Sequence, residues 1–352
     1  MEIYFNMFKI RFTVLEELLH KNRIEVGSEV NVFINLENIL TYLTTPKVDE
    51  YLRVKSESKV YELIACMINM ASHYRLFFSK FGVRSKVYLY YQYPFNCVPK
   101  NVCINTDYRT YYRYKFDKNV TKYIISDTLD AATPLAKIIL EYVNGVYLIG
   151  SGQIENSLIP MMVPKKKGST NFIVTTSLYD FQYVNQGFNI LYPKQDKSKI
   201  LTANNVMGFI YAKNDISGEL VSPNTLPFIL SIVGDRMRNV YGIKGIGLKR
   251  SIQLIRKAMD MGIITQNTTS IDLFLNGVKS MFRDDIRNNY RCVDLISQYN
   301  ELSKIDRMLV ADQLVDKFDN VALKELNDKY FVEYPLQLIE LTGNPKGTRV
   351  TF

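Results

Sequence analysis

Residues Pro227 to Ala258 read PFILSIVGDRMRNVYGIKGIGLKRSIQLIRKA. The centre, Gly242-Ile243-Lys244-Gly245-Ile246-Gly247, alternates glycines with apolar residues and one lysine. Leu248 to Ala258 then spaces its apolar side chains as a helix does, so the glycines form a turn that feeds a helix N-terminus. Glycine admits positive φ and lets another backbone come close. The first turn of the following helix leaves its N–H groups without intrahelical acceptors. With the positive end of the helix dipole, these amides make an anion site that requires no particular side chain. Lys244, Lys249 and Arg250 stand where they add charge around a bound phosphate, so Gly242, Lys244, Gly245, Gly247, Lys249 and Arg250 are the expected DNA-contacting set. Upstream, Phe228 to Val233 and Val240-Tyr241 supply the packed helix on which such a hairpin sits, completing a helix-hairpin-helix grip on one strand of a DNA backbone. A C-cap glycine followed by an ordinary loop would explain one glycine, but not several at this spacing with basic residues after them.

The rest of the chain agrees with an anionic partner. Of the 352 residues, 47% are hydrophobic and 22% charged, enough for a sizeable core, and the net charge of +9 favours a polyanion. No apolar run reaches the length that spans a bilayer and no secretory h-region opens the chain, so no membrane partner is expected. Cys66, Cys97, Cys103 and Cys292 lack CxxC spacing, and His20 and His73 are the only histidines, so a zinc site and nucleophilic Ser/His or Cys/His catalysis are not expected. Abundant Asn, Lys, Ile and Tyr without Trp is the pattern of an AT-rich coding sequence. It points to a phage or other virus and to the host-cell cytoplasm.

The fold class expected is α/β, a mostly parallel twisted sheet flanked by helices. Strands are expected at Val30–Ile34, Val87–Tyr93, Val146–Ile149 and Asn171–Thr176, with an edge hairpin from Phe188–Tyr192 and Val206–Tyr211. Helices are expected at Ser56–Phe81 and Asp130–Tyr142, with a helical pattern within Met1–Gly27. Ser222-Pro223 should open the helix before the glycine turn, and Ser270–Val278, Arg287–Tyr299 and Val310–Lys329 should be helical beyond it. Lys165-Lys166-Lys167-Gly168 reads as an exposed loop. Asp107 to Lys118, DYRTYYRYKFDK, packs five aromatics among four basic residues, a combination that stacks on bases and holds phosphates of single strands. The domains expected are a core over 1–220, with an arch near 95–125, and a helical subdomain over 221–352.

On these residues the chain resembles the flap endonuclease and 5′-nuclease family, which has a PIN-like core and a helix-three-turn-helix DNA-binding segment. The run Ile232-Val233-Gly234-Asp235, then Asn239-Val240-Tyr241 and GIKGIGLK, is similar to the family's glycine-aspartate pair, serine-aspartate-asparagine triplet and glycine hairpin, with Met237-Arg238-Asn239 standing in the triplet. The resemblance implies arch contacts at Arg109, Tyr112, Arg113, Tyr114 and Lys115, and a monovalent cation between the hairpin carbonyls of Gly242 to Gly247 and DNA. It also implies a catalytic site at the strand ends, where this chain departs from the pattern. Asn35, Tyr91 or a neighbour, Ser157 with Leu158, and Arg238 stand where the family has carboxylates. Glu155 and Asp235 match retained acids. Ungapped, Ser177 and Tyr179 replace the next pair; with a one-residue gap Asp180 matches the second and Leu178 the first. Two divalent ions roughly 4 Å apart need several fixed carboxylates, so no catalytic residue, metal or cofactor is expected. What remains is a non-catalytic DNA-binding relative acting on duplex, nicked or branched DNA, with replication or transcription proteins as further partners. Two alternatives stay open: an active nuclease with one magnesium on Glu155, Asp180 and Asp235, and a scaffold subunit of a polymerase assembly.

Overall fold

Strand β1 (Glu29–Asn35) is buried along nearly its whole length, as an apolar run in the middle of a parallel sheet must be. The computed structural model describes residues 17, 20, 24–36, 56–91, 132–143, 145–193, 199–235, 240–315, 317 and 319–330. Helix α1 (Ser56–Lys80) carries the chain from β1 to β2 (Arg84–Tyr91), which pairs parallel to β1. Helix α2 (132–141) precedes β3 (Val146–Gly150), and the short α3 (Ile159–Met162) precedes β4 (Thr170–Val174). With β5 (Phe188–Tyr192) and β6 (Lys199–Leu201) the sheet has six strands in the order β3-β2-β1-β4-β5-β6, of which only β6 runs antiparallel. Their carboxyl ends therefore share one edge, where open α/β sheets build their ligand crevice.

The alternation of side chains along β1 sends Val30, Val32 and Ile34 to one face and Phe33 to the other. On the first face they meet Ile68, Ala71, Tyr74 and Phe78 of α1 and Ala136, Ile139 and Leu140 of α2. On the second, one buried cluster continues from Phe33, Tyr88 and Tyr90 through Phe181 and Tyr183 to Phe228, Ile252, Phe274, Val293 and Val310. The helical region thus packs on the sheet through shared apolar burial, the largest favourable contribution to folding.

That region comprises α4 (Val206–Lys213), α5 (Leu226–Val233), α6 (Leu248–Asp260), α7 (Ile271–Leu275), α8 (Ser280–Val293), α9 (Leu295–Glu301), α10 (Lys304–Ala311) and α11 (Asn320–Tyr330). Ser222 caps the turn before α5 by accepting from the Asn224 amide at 3.2 Å, as Ser222-Pro223 implied.

Four expectations need correction. Val206–Tyr211 is a helix: Val206, Met207, Ile210 and Tyr211 are buried at helical spacing, and β6 supplies the antiparallel partner of β5 instead. The segment Arg287–Tyr299 breaks at Asp294, which ends α8 in extended conformation and caps α9 by accepting from the Ser297 amide at 2.9 Å. Val310–Lys329 is likewise two helices with a turn between Ala311 and Asn320. Lys165 is half-buried rather than exposed: its Nζ donates to the Pro160 and Val163 carbonyls and lies 5.9 and 5.2 Å from the Phe33 and Phe188 ring centres. A long aliphatic stem lets a lysine bury its body against rings while its ammonium finds carbonyls. The expected helical pattern of Met1–Gly27 lies almost wholly outside the described residues.

Candidate nucleic-acid interface and sheet-edge site

After α5 the chain turns back on itself as a two-stranded ribbon, β7 (Gly234–Asp235) against β8 (Val240–Tyr241). Two glycines make that crossing. A Cβ on Gly242 would stand 2.0 Å from the Val233 carbonyl oxygen, and one on Gly234 would stand 2.4 Å from both the Gly242 amide nitrogen and the Val240 carbonyl oxygen. The Ile243 amide then donates to the Ile232 carbonyl at 2.8 Å, and Asn289 Nδ2 of α8 donates to the carbonyls of Ser231 and Tyr241. The ribbon is fixed from beneath by helix ends whose carbonyls would otherwise lack partners.

The glycines that follow answer to a different constraint. Gly245 has φ +81°, a left-handed turn position that favours glycine, and nothing stands within 4 Å of where its Cβ would be. Gly247 is extended (φ −90°, ψ −178°), a conformation open to any residue, and its missing Cβ also faces open space. It occupies the cap position of α6 without a capping side chain. The first intrahelical bond of α6 runs from the Ser251 amide to the Gly247 carbonyl at 3.0 Å, so the amides of Leu248, Lys249 and Arg250 belong to the acceptor-poor first turn. Ile252, Ile255 and Ala258 bury the opposite face of α6 and aim that first turn outward, with Lys244 and Lys249 exposed beside it. Arg250 reaches back, its Nη1 donating to the Gly245 carbonyl at 2.8 Å, and braces the turn from within. Six residues of the expected DNA-contacting set, Gly242, Lys244, Gly245, Gly247, Lys249 and Arg250, therefore lie on one turn.

The sheet's carboxyl edge gathers a second group. Asn35 closes β1 opposite Tyr90, and both lie on the face that packs against the helical region. Tyr91 points to the other face, where its hydroxyl bonds Thr133 Oγ1 of α2. Beyond β3, Glu155 is buried and its Oε1 accepts from Ser157 Oγ at 2.8 Å, while the Ser157 carbonyl accepts from the Tyr183 hydroxyl. Beyond β4, Asp180 is 1% exposed and its Oδ2 accepts from Thr175 Oγ1 at 2.6 Å. Ser151 Oγ and Asn156 Nδ2, buried beside Glu155 in sequence, have no hydrogen-bond partner among the described residues. Asp235 sits on the ribbon, paired with Val240. Among the described residues no three of His, Cys, Asp or Glu come together as metal ligands. Arg109, Tyr112, Arg113, Tyr114, Lys115 and Arg238 lie outside the described residues.

Three contributors were not singled out from sequence. Thr175, which orients Asp180, is signalled only by its place directly after a buried strand. Asn289, which pins the ribbon, and Gln313, whose side-chain amide pairs with both the N–H and the C=O of Gly150, act across 48 and 163 residues, and nothing local announces them.

No family model matches the chain. By sequence it is similar to the 5′-3′ exonuclease of Aquifex aeolicus (strain VF5), at 24% identity over 157 residues that make up 41% of this chain and 53% of that protein. It thus spans about half the length of the curated relative it matches. Among solved structures, a bacteriophage T5 flap endonuclease, as a pseudo-enzyme–product complex with DNA and metal ions, aligns at a TM-score of 0.49 and 11% identity, covering 89% of this chain and 99% of that one. The catalytic core of Rad2 in complex with DNA substrate aligns at 0.36 and 14%, covering 86% and 91%. Both likenesses fall below the level at which function transfers. No described helix is long and apolar enough to cross a membrane.

Proposed function

We infer that this member of the 5′-nuclease family is a DNA-binding protein that holds one strand of duplex, nicked or branched DNA on its glycine turn and does not cleave it. The observation that carries the reading is the contrast among the glycines. Gly242 is demanded by the protein's own packing, whereas a Cβ on Gly247 would meet nothing and strain nothing, so its absence leaves room for something outside the chain. A phosphodiester fits that room, because first-turn amides, the helix dipole and the exposed ammonium groups of Lys244 and Lys249 all favour an anion there. On this reading α5, the glycine turn and α6 act as a helix-hairpin-helix, with a PIN-like core over 1–220 and a helical subdomain over 221–352. The Gly245 carbonyl, which a hairpin monovalent cation would share, already accepts from Arg250, so Arg250 acts on the turn's shape before it acts on DNA.

The absence of cleavage follows from the donor set. Two hard divalent cations held side by side need clustered anionic oxygens. Among the described residues the acids at the sheet edge are Glu155 and Asp180, each engaged by a hydroxyl, while Asn35 contributes a neutral amide and Tyr91 turns away to Thr133. The described residues do not fit a two-metal centre. The Aquifex relative's name and the DNA in the T5 and Rad2 structures are consistent with DNA as the ligand. Service in replication, repair or transcription of a viral genome is the setting this reading suits.

The test is an incubation of end-labelled nicked and branched DNA with the protein in magnesium and in manganese. Retarded complexes without product bands are expected. Products that vanish in Asp235→Ala protein contradict the reading and favour the one-magnesium alternative on Glu155, Asp180 and Asp235.

A further inference from the structure

The two outer strands of the sheet, β6 and β3, are closed in different ways. On β6 the cover is local: the side chain of Asn205 donates through Nδ2 to the Ile200 carbonyl at 3.0 Å. On β3 it comes from far along the chain. The Ser151 amide donates to the Tyr91 carbonyl and the Gly145 carbonyl accepts from the Val87 amide. Tyr147 and Ile149 therefore also turn their backbone groups to β2, while Val146, Leu148 and Gly150 turn theirs outward. Gln313 meets Gly150 with both ends of its side-chain amide, and Lys137 Nζ donates to the same Oε1 at 3.3 Å. Further on, the amides of Lys317 and Asp319 donate to the carbonyls of Glu141 and Tyr142, just ahead of β3, at 2.7 and 3.3 Å.

The segment from Gln313 to Asp319 thus runs along β3 from its carboxyl end to its amino end. Its six steps of chain reach at most about 22 Å, and the five residues of β3 extend about 16 Å, so the segment spans the strand. It does not extend the sheet, which still ends at β3. Among the described residues nothing bonds the outward N–H and C=O of Leu148. The ion pair of Lys317 with Glu141, at 2.8 Å, leaves the lysine largely exposed, and such pairs hold weakly.

The strand beneath, Val146-Tyr147-Leu148-Ile149-Gly150, has neither charge nor proline, the features that otherwise keep an edge from pairing. Its outward residues are their own complement. Turned about a two-fold axis through Leu148, Val146 of one copy stands opposite Gly150 of the other, and two antiparallel β3 strands join two sheets.

We propose that residues 313–319 are a displaceable strap over the β3 edge, and that on release this edge pairs antiparallel with the same edge of a second copy, centred on Leu148. The pairing does not depend on what the glycine turn binds.

Hydrogen exchange of the native protein tests the strap. The amides of Gly150, Lys317 and Asp319 are expected to exchange about tenfold or more faster than those of Tyr147 and Ile149, which face β2. Exchange no faster than Ile149 at any of the three overturns the proposal. Light scattering tests the pairing. Gln313→Leu with Lys317→Glu is expected to double the mass at concentrations where wild type is a monomer. Adding Gly150→Pro, which removes an outward N–H and leaves the bonds to β2, is expected to restore the monomer. A folded double variant that stays monomeric, or a dimer that persists with Gly150→Pro, contradicts the pairing. Loss of the circular dichroism signal in the double variant would show a strap that the fold cannot release, and overturns the proposal as well.

Discussion

At Gly242 an added methyl group would overlap the Val233 carbonyl, a backbone atom that cannot swing aside, so Gly242→Ala should lower stability by about 3 kcal/mol or more. Gly247→Ser should leave stability unchanged or slightly raised, since serine caps helices at least as well as glycine and meets nothing there, yet it should weaken DNA binding by filling the approach to the first-turn amides. Thermal melts and a binding titration of the two variants check both. Burial pushes the Cys292 thiol up to about 11, so in native protein at pH 8 it should resist iodoacetamide and react only after urea is added, as peptide mass spectrometry would show. Lys165 shifts the other way, its ammonium lowered by desolvation from 10.5 to about 8. The folded state then binds fewer protons than the unfolded one between those values. The cost of burying the charge is present in full below about pH 8 and is relieved as pH rises towards 10.5. Denaturant melts at pH 7 and pH 10 should show wild type gaining stability relative to Lys165→Met at the higher pH.

Between elements, the strands and helices that bury one face each were legible from periodicity, and those whose identity depends on a distant partner were not. The apolar run at Val30–Ile34 admits little but a central strand. Val206–Tyr211 is rich in β-formers and reads as a strand. Only its packing against Phe181 and Tyr192, through Phe209, makes the helical alternative the better burial. The break at Asp294 and the role of Gln313 are further cases. Strand β3 is an edge, and the Gln313 side chain stands in for the missing neighbour by donating to the Gly150 carbonyl at 3.0 Å while accepting from its amide at 3.0 Å. Gln313→Leu should cost about 1–3 kcal/mol by leaving both groups of Gly150 unpaired, measurable as a lower urea midpoint with the fold retained by circular dichroism.

For the whole molecule, one buried cluster joins the sheet to the helices that carry the glycine turn. The course of the turn was readable from sequence because it is set by backbone conformation, which glycine spacing encodes directly. The sheet edge was readable only in part, because the identity of Glu155, Asp180 and Asn35 is plain while their mutual placement depends on strand order and register. Sequence placed Tyr91 or a neighbouring residue at the edge; the pleat sends Tyr91 to the opposite face and Tyr90 to the face of Asn35, a one-residue difference that sequence alone leaves open. With a net charge of +9, part of any DNA affinity is non-specific, so affinity alone does not isolate the turn. The salt dependence does. Measured for wild type and for the Lys244→Ala with Lys249→Ala variant on the same nicked duplex, the slope of log affinity against log salt should fall by about 1.8, or 0.9 for each phosphate contact removed. Identical slopes would contradict the account.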